Sequence, residues 1–525
     1  MKFDRSLAIE QIRENQDWDV IIIGGGATGL GVAVDASSRG FKTLLLESHD
    51  FAKGTSSRST KLVHGGVRYM ANGDIGLVRE ALKERGILSK NASHLFKKQE
   101  FVIPNYTWWG GWYYKFGLSV YDFLSGKLSL GKTRYISRTQ TIEAIPTINQ
   151  AKLSSGVVYY DGQFDDARLA LNLAQTAVEQ GAVVLNYFPV TGFEKDKAGK
   201  VIGVKGIDKE CGASFLIHTK TVVNATGVFT NDVMSLDNPD SGKMIVPSQG
   251  IHLVLDRKFL PTDQALMIPK TSDGRVLFAV PWHNKVIVGT TDTLIESTSY
   301  EPKPLEEEVK FILDTARRFL SIAPTKADVK SVFSGLRPLA APSDKNQKTK
   351  EISRSHKIVM SDSGILTMIG GKWTTYRKMA EDIIDKLISL KKLPYRTCRS
   401  AEIAIHGNVN SPHVDFNDPY YVYGSDQKEL KSLRQSNNHY QKKLHPDHEY
   451  CMEVVVFAVQ NEMALHVEDV LARRTRLLFL DAKAAKSSAL KVAEMMAELL
   501  HKDRDWIEQE VEYFSKLADG YILTN

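Results

Sequence analysis

The chain has 525 residues, of which 42% are hydrophobic and 25% are charged. This composition excludes a disordered or fibrous protein, and the length allows two or three domains with sizeable cores. The formal net charge of +6 is small for the length. It does not require a nucleic-acid partner, although it suits an anionic ligand or an anionic membrane surface.

The cysteine spacing and the distribution of apolar residues indicate where in the cell the protein is expected to be. Cys211, Cys398 and Cys451 lie far apart without CxxC spacing, which argues against a disulfide framework or a thiolate metal site. No His, Cys and Asp spacing indicates a metal site either. The acid-bearing start MKFDRSLAIEQIRENQDWD is unlike a signal peptide, and no apolar run approaches the roughly 20 residues of a spanning helix. We expect a cytoplasmic protein, with any membrane contact peripheral and on the inner face of the cell membrane.

The stretch DVIIIGGGATGLGVAVDASSRGFKTLLLE, residues 19–47, predicts a dinucleotide site. Gly24 permits a tight turn after an apolar strand, Gly26 lets backbone approach a pyrophosphate, and Gly29 lets helix and strand pack closely. The start of the following helix offers N–H groups and a positive dipole end to phosphates. Glu47 ends the second strand, where an acid can bind a ribose hydroxyl.

The segment after Glu47 favours FAD over NAD. A simple nucleotide-binding domain would continue with a helix, but SHDFAKGTSSRSTKLVHGGVRY is polar and glycine-bearing, and a long flavin needs support beyond its pyrophosphate. No second glycine fingerprint for a nicotinamide nucleotide is present. The candidate flavin contacts in this segment are Thr55, Ser56, Ser57, Gly65 and Gly66.

Strands and helices alternate to about residue 395, and a helical region follows. The runs GIHLVLD, RVLFAVPW and KVIVGTTD, within residues 250–292, are rich in β-branched residues and predict an antiparallel sheet. Residues 364–390 predict a strand, a glycine turn and a long helix. The sequence thus predicts an α/β fold: a Rossmann-like FAD-binding domain interleaved with an antiparallel-sheet substrate domain, and a C-terminal helical cap. The expected limits are about 17–80, 160–230 and 355–395 for the FAD domain, 81–159 and 231–354 for the substrate sheet, and 396–525 for the cap.

Several motifs together resemble one family. GGGATGLGVAVDASSRG, TSSRSTKLVHGGVRY, DDARL, VVNATG, VGTTDT, FSGLRPL, IGGKWTTYRK and LARRT occur in the order found in FAD-dependent glycerol-3-phosphate dehydrogenases of the respiratory, bacterial type. The combination of HGGVRY, GLRPL and GGKWTTYRK is far more specific than the glycine fingerprint. The resemblance runs from about residue 17 to beyond residue 475. It implies FAD as the cofactor and oxidation of sn-glycerol 3-phosphate to dihydroxyacetone phosphate, with electrons passed to a membrane quinone.

The resemblance also implies which side chains line the glycerol-phosphate pocket. Arginine and lysine are the natural partners of a phosphate dianion, and Arg337 sits between a glycine and a proline in SGLRPL. The implied set is Arg68, Tyr69, His252, Arg337, Arg354 and Lys372. A further implied flavin-contacting set is Gly227, Gly370, Gly371, Lys372 and Thr374.

A secondary alcohol must lose its hydroxyl proton when its carbon loses hydride, and a histidine is the natural base. His64, before the glycine pair, and His252, on the strand GIHLVLD, are both candidates. His252 could equally be a satisfied histidine on the inner face of a sheet, and His64 could be a flavin contact. Arg337 could stabilise an alkoxide beside either one.

Residues 105–132 contain three tryptophans with neighbouring Tyr, Phe and Lys residues. Such a segment is typical either of a bilayer interface or of a helix packed on the core. Sequence does not show whether Arg473, Arg474 and Thr475 of LARRT pack, bind anions or meet a partner. Asp292 is expected to bond locally at the end of its strand and has no assigned chemical role. A homodimer is a further possibility left open.

Three other functions compete with the dehydrogenase. A glycerol-3-phosphate oxidase shares nearly all the motifs, but the family's oxidases often carry an insertion for which TLIESTSYEPKPLEEEVKFILDTARRFL leaves no room. An amine or amino-acid oxidase of the same fold would not need several cations. An RNA-binding flavoprotein would need a clustered basic face, whereas the basic residues here are interspersed with nearly as many acids, so we expect no nucleic-acid partner.

Overall fold

The computed structural model describes residues 3–15, 17–66, 74–107, 109–341, 356–409 and 414–524, without the side chain of Lys127. Three residues of the predicted substrate pocket, Arg68, Tyr69 and Arg354, lie outside these ranges.

The β-strands, numbered in chain order, are β1 (Val20–Ile23), β2 (Thr43–Leu46), β3 (Leu62–Val63), β4 (Lys97–Asn105), β5 (Arg134–Ser137), β6 (Ser155–Gln163), β7 (Val183–Leu185), β8 (Val190–Lys195), β9 (Val201–Ile207), β10 (Ser214–His218), β11 (Val222–Asn224), β12 (Ile245–Asp256), β13 (Ala265–Ile268), β14 (Leu277–Trp282), β15 (Lys285–Gly289), β16 (Thr293–Leu294), β17 (Ser331–Ala340), β18 (Lys357–Met360) and β19 (Leu366–Ile369).

The α-helices of the described chain are α1 (Arg5–Glu14), α2 (Ala27–Ser38), α3 (Ile75–Asn91), α4 (Gly110–Ser125), α5 (Arg138–Ala144), α6 (Asp166–Glu179), α7 (Thr230–Asp237), α8 (Glu306–Phe319), α9 (Tyr376–Ser389), α10 (Gln427–Ser436), α11 (Glu453–Asn461), α12 (Leu477–Leu480), α13 (Ala482–Leu500) and α14 (Arg504–Asp519). Short 3-10 turns occupy Thr55–Ser57, Gly126–Leu128, Gly227–Phe229, Arg257–Phe259, Lys326–Asp328, Trp373–Thr375 and Pro419–Asp426, and a π-helical turn occupies Asp469–Arg474.

The first layer is a six-stranded sheet in the order β18-β19-β11-β1-β2-β7, parallel except for the edge pair β18–β19. Ile22 of β1 aligns with Leu45 of β2 and Val223 of β11. Strands β1, β2, β7, β11 and β19 are buried throughout, which is why their sequences are unbroken apolar runs rather than alternating ones. Helix α2 packs between α6 and α9 on one face of this sheet, so the glycine turn before α2 meets the carboxyl ends of the central strands.

The second layer is a ten-stranded sheet whose main path is β16-β12-β15-β14-β13-β4-β6-β3, with β17 on β12 and β5 on β6. Its pairs are antiparallel apart from β4–β13. The long pair β12–β17 keeps one register over Ile245–Val254 and Ser331–Ala340 and places Arg337 opposite Ser248. A separate antiparallel sheet of three strands, β10-β9-β8, lies beside them.

Helices α10 to α14 form the C-terminal part. Helix α13 packs on α14 and α11, and α12 packs on β17, so these helices share a core with the rest of the chain. Among the helices that the structure describes, none combines the length and apolarity needed to cross a bilayer. The predicted fold class, an α/β nucleotide-binding fold combined with an antiparallel sheet and C-terminal helices, is confirmed. The domain limits stay a prediction.

Candidate active site

A cavity of about 780 Å³ opens at the carboxyl ends of β1, β2 and β11. This edge of a parallel sheet, where strand order reverses, is where such folds bind nucleotides. The predicted cofactor residues on its wall are Gly24, Gly26, Glu47, Thr55, Ser56, Gly227, Gly370, Gly371 and Lys372. Segments far apart in sequence therefore meet around one cavity.

The glycine turn explains the local shape of this cavity. Gly24 has φ of +109°, a conformation that side chains disfavour. A Cβ at Gly29 would lie 1.8 Å from the Gly24 carbonyl oxygen, and one at Gly26 would lie 2.9 Å from Ser56 Oγ. Gly29 does not line the cavity; it allows α2 to pack on the turn. Helix α2 has no side-chain cap at Gly26, although Ser56 Oγ accepts from Ala27 N–H at 2.9 Å.

Glu47 lies at the end of β2 against the same turn. One carboxylate oxygen accepts from Gly25 N–H at 2.6 Å, and the other accepts from His49 N–H at 2.9 Å. Burial raises the pKa of Glu47, and the backbone donors act against that rise. A carboxylate on the cavity wall has the geometry to accept a hydrogen bond from a ribose hydroxyl.

Other predicted cofactor residues lie behind this wall. Ser57 is buried, with its hydroxyl 3.5 Å from Gly54 O. Gly65 N–H donates to Tyr121 OH at 2.7 Å, and Gly66 has φ of +76°. None of these three lines the nucleotide cavity. Thr374 lines a second cavity instead, and its hydroxyl lies 3.4 Å from His64 O.

This second cavity, of about 250 Å³, adjoins the first and shares Thr55, Pro338 and the turn Gly370–Trp373 with it. The structure brings four of the predicted substrate and catalytic residues together on its wall. They are His64, His252, Arg337 and Lys372. Two cations and two histidines thus lie beside the glycine turn that also bounds the nucleotide cavity.

The guanidinium of Arg337 is held in place by strand ends. It donates to Thr291 O at 3.0 Å and to Thr290 Oγ1 at 3.2 Å, and lies 3.4 Å from the carboxylate of Asp292. A Cβ at Gly250 would come within 2.3 Å of this guanidinium, so glycine on β12 provides its space. Asp292 also accepts from Ser248 Oγ, in keeping with its expected local bonding. The result is an oriented cation, 27% exposed, on a cavity wall.

His252 is buried on β12, and its ring stacks on Phe333 with centroids 4.8 Å apart. Its Nε2 lies 2.9 Å from Thr60 Oγ1, whereas Nδ1 has no hydrogen-bond partner within the described residues. Burial lowers the pKa of His252 well below its usual value, and nearby Lys61 and Arg337 lower it further. The imidazole is therefore neutral near pH 7 and has the charge state of a proton acceptor.

Sequence reasoning missed several residues of the two walls. Thr60 lines the second cavity and contacts His252. Ser48, Tyr300 and Glu301 line the nucleotide cavity, where Ser48 Oγ lies 3.0 Å from Tyr300 OH. Lys53 and the C-terminal Tyr513 line it as well. The hydroxyl-rich run around Thr60 was a usable signal, but nothing local marks a tyrosine in a loop or in the last helix as a site residue.

The residues around the larger cavity fit a dinucleotide. A Cβ at Gly24 would lie 2.8 Å from Ala225 O, and one at Gly26 would lie 2.9 Å from Ser56 Oγ. Helix α2 begins there without a cap from its own N-cap residue, and a buried acid follows β2. Gly370 and Gly371, with φ of +75° and +92°, bring backbone between this cavity and the smaller one. Over the described ranges, no group of three or more His, Cys, Asp or Glu side chains is placed to hold a metal ion.

Proteins of known sequence or structure resemble nearly the whole chain. A probable mitochondrial glycerol-3-phosphate dehydrogenase of Dictyostelium discoideum is 38% identical over 98% of this chain and 85% of that protein. The human mitochondrial glycerol-3-phosphate dehydrogenase is 36% identical over 96% of this chain and 74% of that protein. The crystal structure of glycerol-3-phosphate dehydrogenase from Bacillus halodurans, complexed with FAD, superposes with a TM-score of 0.80 at 29% identity, covering 99% of this chain and 97% of that one.

The fold and the two adjoining cavities define an FAD-dependent oxidoreductase, and the family described as FAD dependent oxidoreductase matches residues 19–377. Residues 366–507 match the C-terminal domain of alpha-glycerophosphate oxidase. Within this class the chain belongs to the FAD-dependent glycerol-3-phosphate dehydrogenase family, as the sequence motifs predicted.

Proposed function

We propose that the protein oxidises sn-glycerol 3-phosphate to dihydroxyacetone phosphate with FAD as the electron acceptor. The observation that carries this proposal is the wall Gly370–Trp373, which the nucleotide cavity shares with a smaller cavity lined by Arg337, Lys372 and His252. A small phosphate ester suits a cavity of about 250 Å³ with cations on its wall. Bound FAD supplies the hydride-accepting chemistry at flavin N5.

In this proposal the cations hold the substrate and the histidines are the candidate proton acceptors. Arg337 and Lys372 bind the phosphate, since an arginine fork matches two phosphate oxygens and a lysine adds a mobile charge. The resemblance adds Arg68, Tyr69 and Arg354 to the same pocket. The hydroxyl proton of the substrate passes to His252 or to His64, and Arg337 stabilises the negative charge that develops on oxygen.

We further propose that electrons leave to a membrane quinone and that α4 is the peripheral membrane contact on the cytoplasmic side. Phe116 and Phe123 of α4 are 76% and 81% exposed, and Trp112 is 58% exposed. Lys115 Nζ lies 4.9 Å from the Trp112 ring centroid. Aromatic rings with an adjacent ammonium suit the headgroup region of an anionic bilayer. The domain limits predicted from the sequence remain a proposal. A homodimer is also a proposal, and the mass of the purified protein measured by analytical ultracentrifugation tests it.

Anaerobic bleaching of the bound flavin tests the reaction. Addition of sn-glycerol 3-phosphate to the oxidised protein is expected to bleach the flavin absorbance, whereas glycerol and D-amino acids leave it unchanged. A quinone then restores the colour rapidly, and air restores it slowly. Rapid recolouring in air with peroxide would assign an oxidase instead. If the flavin absorbance does not change when the phosphate ester is added, the proposed substrate pocket is excluded.

A further inference from the structure

The LARRT motif is buried against the loop that follows β2. Arg473 and Arg474 are buried, and both donate to the same oxygen of the Asp50 carboxylate. Asp50 itself has no exposed surface. Asp50 lies between Glu47 and the 3-10 turn Thr55–Ser57, and Glu47, Thr55 and Ser56 are on the wall of the nucleotide cavity. The motif therefore fastens the C-terminal helices to a cofactor-site loop rather than offering its cations to solvent.

A second acid extends this contact to the cavity itself. Glu468 accepts from Arg473 NH1 at 2.6 Å through one oxygen. Its other oxygen accepts from Lys53 Nζ at 2.6 Å and from Tyr513 OH at 3.2 Å. Lys53 and Tyr513 are both wall residues of the nucleotide cavity. The C-terminal part thus reaches the cavity through Tyr513 directly and through Glu468 by way of Lys53.

The charges in this network are matched. Asp50, Glu468 and Asp469 are buried acids, and Lys53, Arg473 and Arg474 are buried bases; Asp469 accepts from Arg473 NH2 at 2.7 Å. Burying six charges gives little net stability compared with apolar packing, because desolvation offsets the attraction. Burial acts to raise the pKa of Glu468, but Lys53 and Arg473 hold it well below its usual value, so this carboxylate stays charged. Because this charged network contributes so little net stability, its role is to position the side chains that it joins.

We propose that the C-terminal helices complete the FAD site. Lys53 and Tyr513 are cofactor-binding residues, and Glu468 is the positioning residue that holds both at the cavity wall. Arg473 and Arg474 position the loop that carries Lys53 by binding Asp50. An ammonium fixed at this wall suits the negatively charged diphosphate of a dinucleotide, and a phenol ring suits its flat groups. The proposal concerns the cofactor and is the same whichever alcohol is oxidised.

FAD affinity of the full-length apoprotein tests this assignment, with flavin fluorescence quenching as the readout. Glu468→Gln removes the charge that holds Lys53. We expect it to weaken FAD binding at least about tenfold, which corresponds to ~1.4 kcal/mol. The matched control is Glu84→Gln, since Glu84 is also buried and binds an arginine, Arg377, at 2.6 Å, but lines neither cavity. The control is expected to lower the melting temperature of the apoprotein while FAD affinity stays within about twofold.

Equal weakening of FAD binding in both variants, or unchanged affinity in Glu468→Gln, would overturn the proposal. Tyr513→Phe keeps the test decisive if Glu468→Gln fails to fold, because Tyr513 is half exposed and its ring is retained. We expect a loss of about threefold in FAD affinity from removal of its hydroxyl, within the range of one hydrogen bond. Lys53→Met, which removes the ammonium at the cavity wall, is expected to weaken FAD binding at least as much. Wild-type affinity in both of these variants would refute the assignment.

Discussion

Thr60 Oγ1 lies 2.9 Å from Nε2 of His252, although the two residues are 192 positions apart. This bond joins a hydroxyl on the wall of the smaller cavity to a buried, neutral imidazole. It fixes the ring plane together with Phe333, on which the ring stacks.

Thr60→Val removes this contact while keeping the shape of the side chain. We expect kcat to fall at least about tenfold, because a base that is free to turn is poorly aligned, while KM changes little. Thr60→Ser restores the hydroxyl and should restore most of kcat. The measurement is steady-state kinetics with a quinone acceptor. Wild-type kcat in the valine variant, with a loss in the serine variant, would show that the methyl group, not the hydroxyl, matters at this position.

Arg337→Lys tests the phosphate-binding role. Lysine keeps the charge but loses the planar fork and the bonds to Thr290 and Thr291, so we expect kcat/KM to fall by about 10²-fold or more. Arg317→Lys is the control, since Arg317 is exposed on α8, where it forms a salt bridge with Asp314, and lines neither cavity. Wild-type kinetics in Arg337→Lys would remove Arg337 from the substrate pocket.

Gly29→Ala tests the packing of α2 on the glycine turn. The new Cβ would lie 1.8 Å from the Gly24 carbonyl oxygen, so the turn must shift. We expect loss of bound FAD and a lowered melting temperature. Gly76→Ala, in helix α3 with nothing within 4 Å of the new Cβ, should instead be neutral or stabilise by up to about 1 kcal/mol. Flavin content and thermal unfolding of both variants distinguish the two cases.

His466 is expected to make the free energy of unfolding depend on pH. Burial acts to lower its pKa, but Glu210 and Glu510 raise the pKa to about 10 from the usual value of 6.5. Because the folded-state pKa is raised, the stability contribution of His466 is fully present below about pH 6.5 and is lost as pH rises toward 10. His466→Gln should therefore cost on the order of 2 kcal/mol at pH 6 and progressively less toward pH 10. Urea unfolding across this range measures the difference, and the same substitution at the exposed His439 is the matched control.

Membrane contact through α4 predicts a lipid-dependent effect of surface aromatics. Replacement of Phe116 and Phe123 together by serine should sharply reduce cosedimentation with vesicles containing anionic lipid, since two large exposed rings are lost. Turnover with a water-soluble quinone should be unaffected, because neither residue lines either cavity. Full vesicle binding by this variant would place the membrane contact elsewhere on the molecule.

Local patterns in the sequence predicted those elements whose cause is local. The strand, glycine turn, helix and acid of residues 19–47 form because each step has its own preferred residues, and the same holds for β19, the glycine turn and α9. The aromatic segment forms a helix packed on the core, and its contact with a bilayer stays a proposal. Helix α4 buries Leu118 and Tyr121 on one face and exposes Phe116 and Phe123 on the other.

Contacts between residues far apart in the chain could not be predicted from local sequence patterns. The partner of His252 is set by the alignment of β12 with a loop near residue 60, and Asp50 meets Arg473 across 423 positions. The parallel pair β4–β13 within an otherwise antiparallel sheet depends on the path of the chain between these strands. Such contacts follow from topology, which no short pattern encodes.

The strand order of the six-stranded sheet constrains how the protein is made. The central strand β1 comes long before its neighbour β11 (Val222–Asn224) in the chain, and the next strand, β19, ends only at Ile369. Chain synthesis is slower than local folding, so the glycine turn emerges long before its surroundings exist. The apolar run of β1 must remain unpaired on that side until β11 has been synthesised, and the six-stranded sheet can be completed only after β19 has emerged.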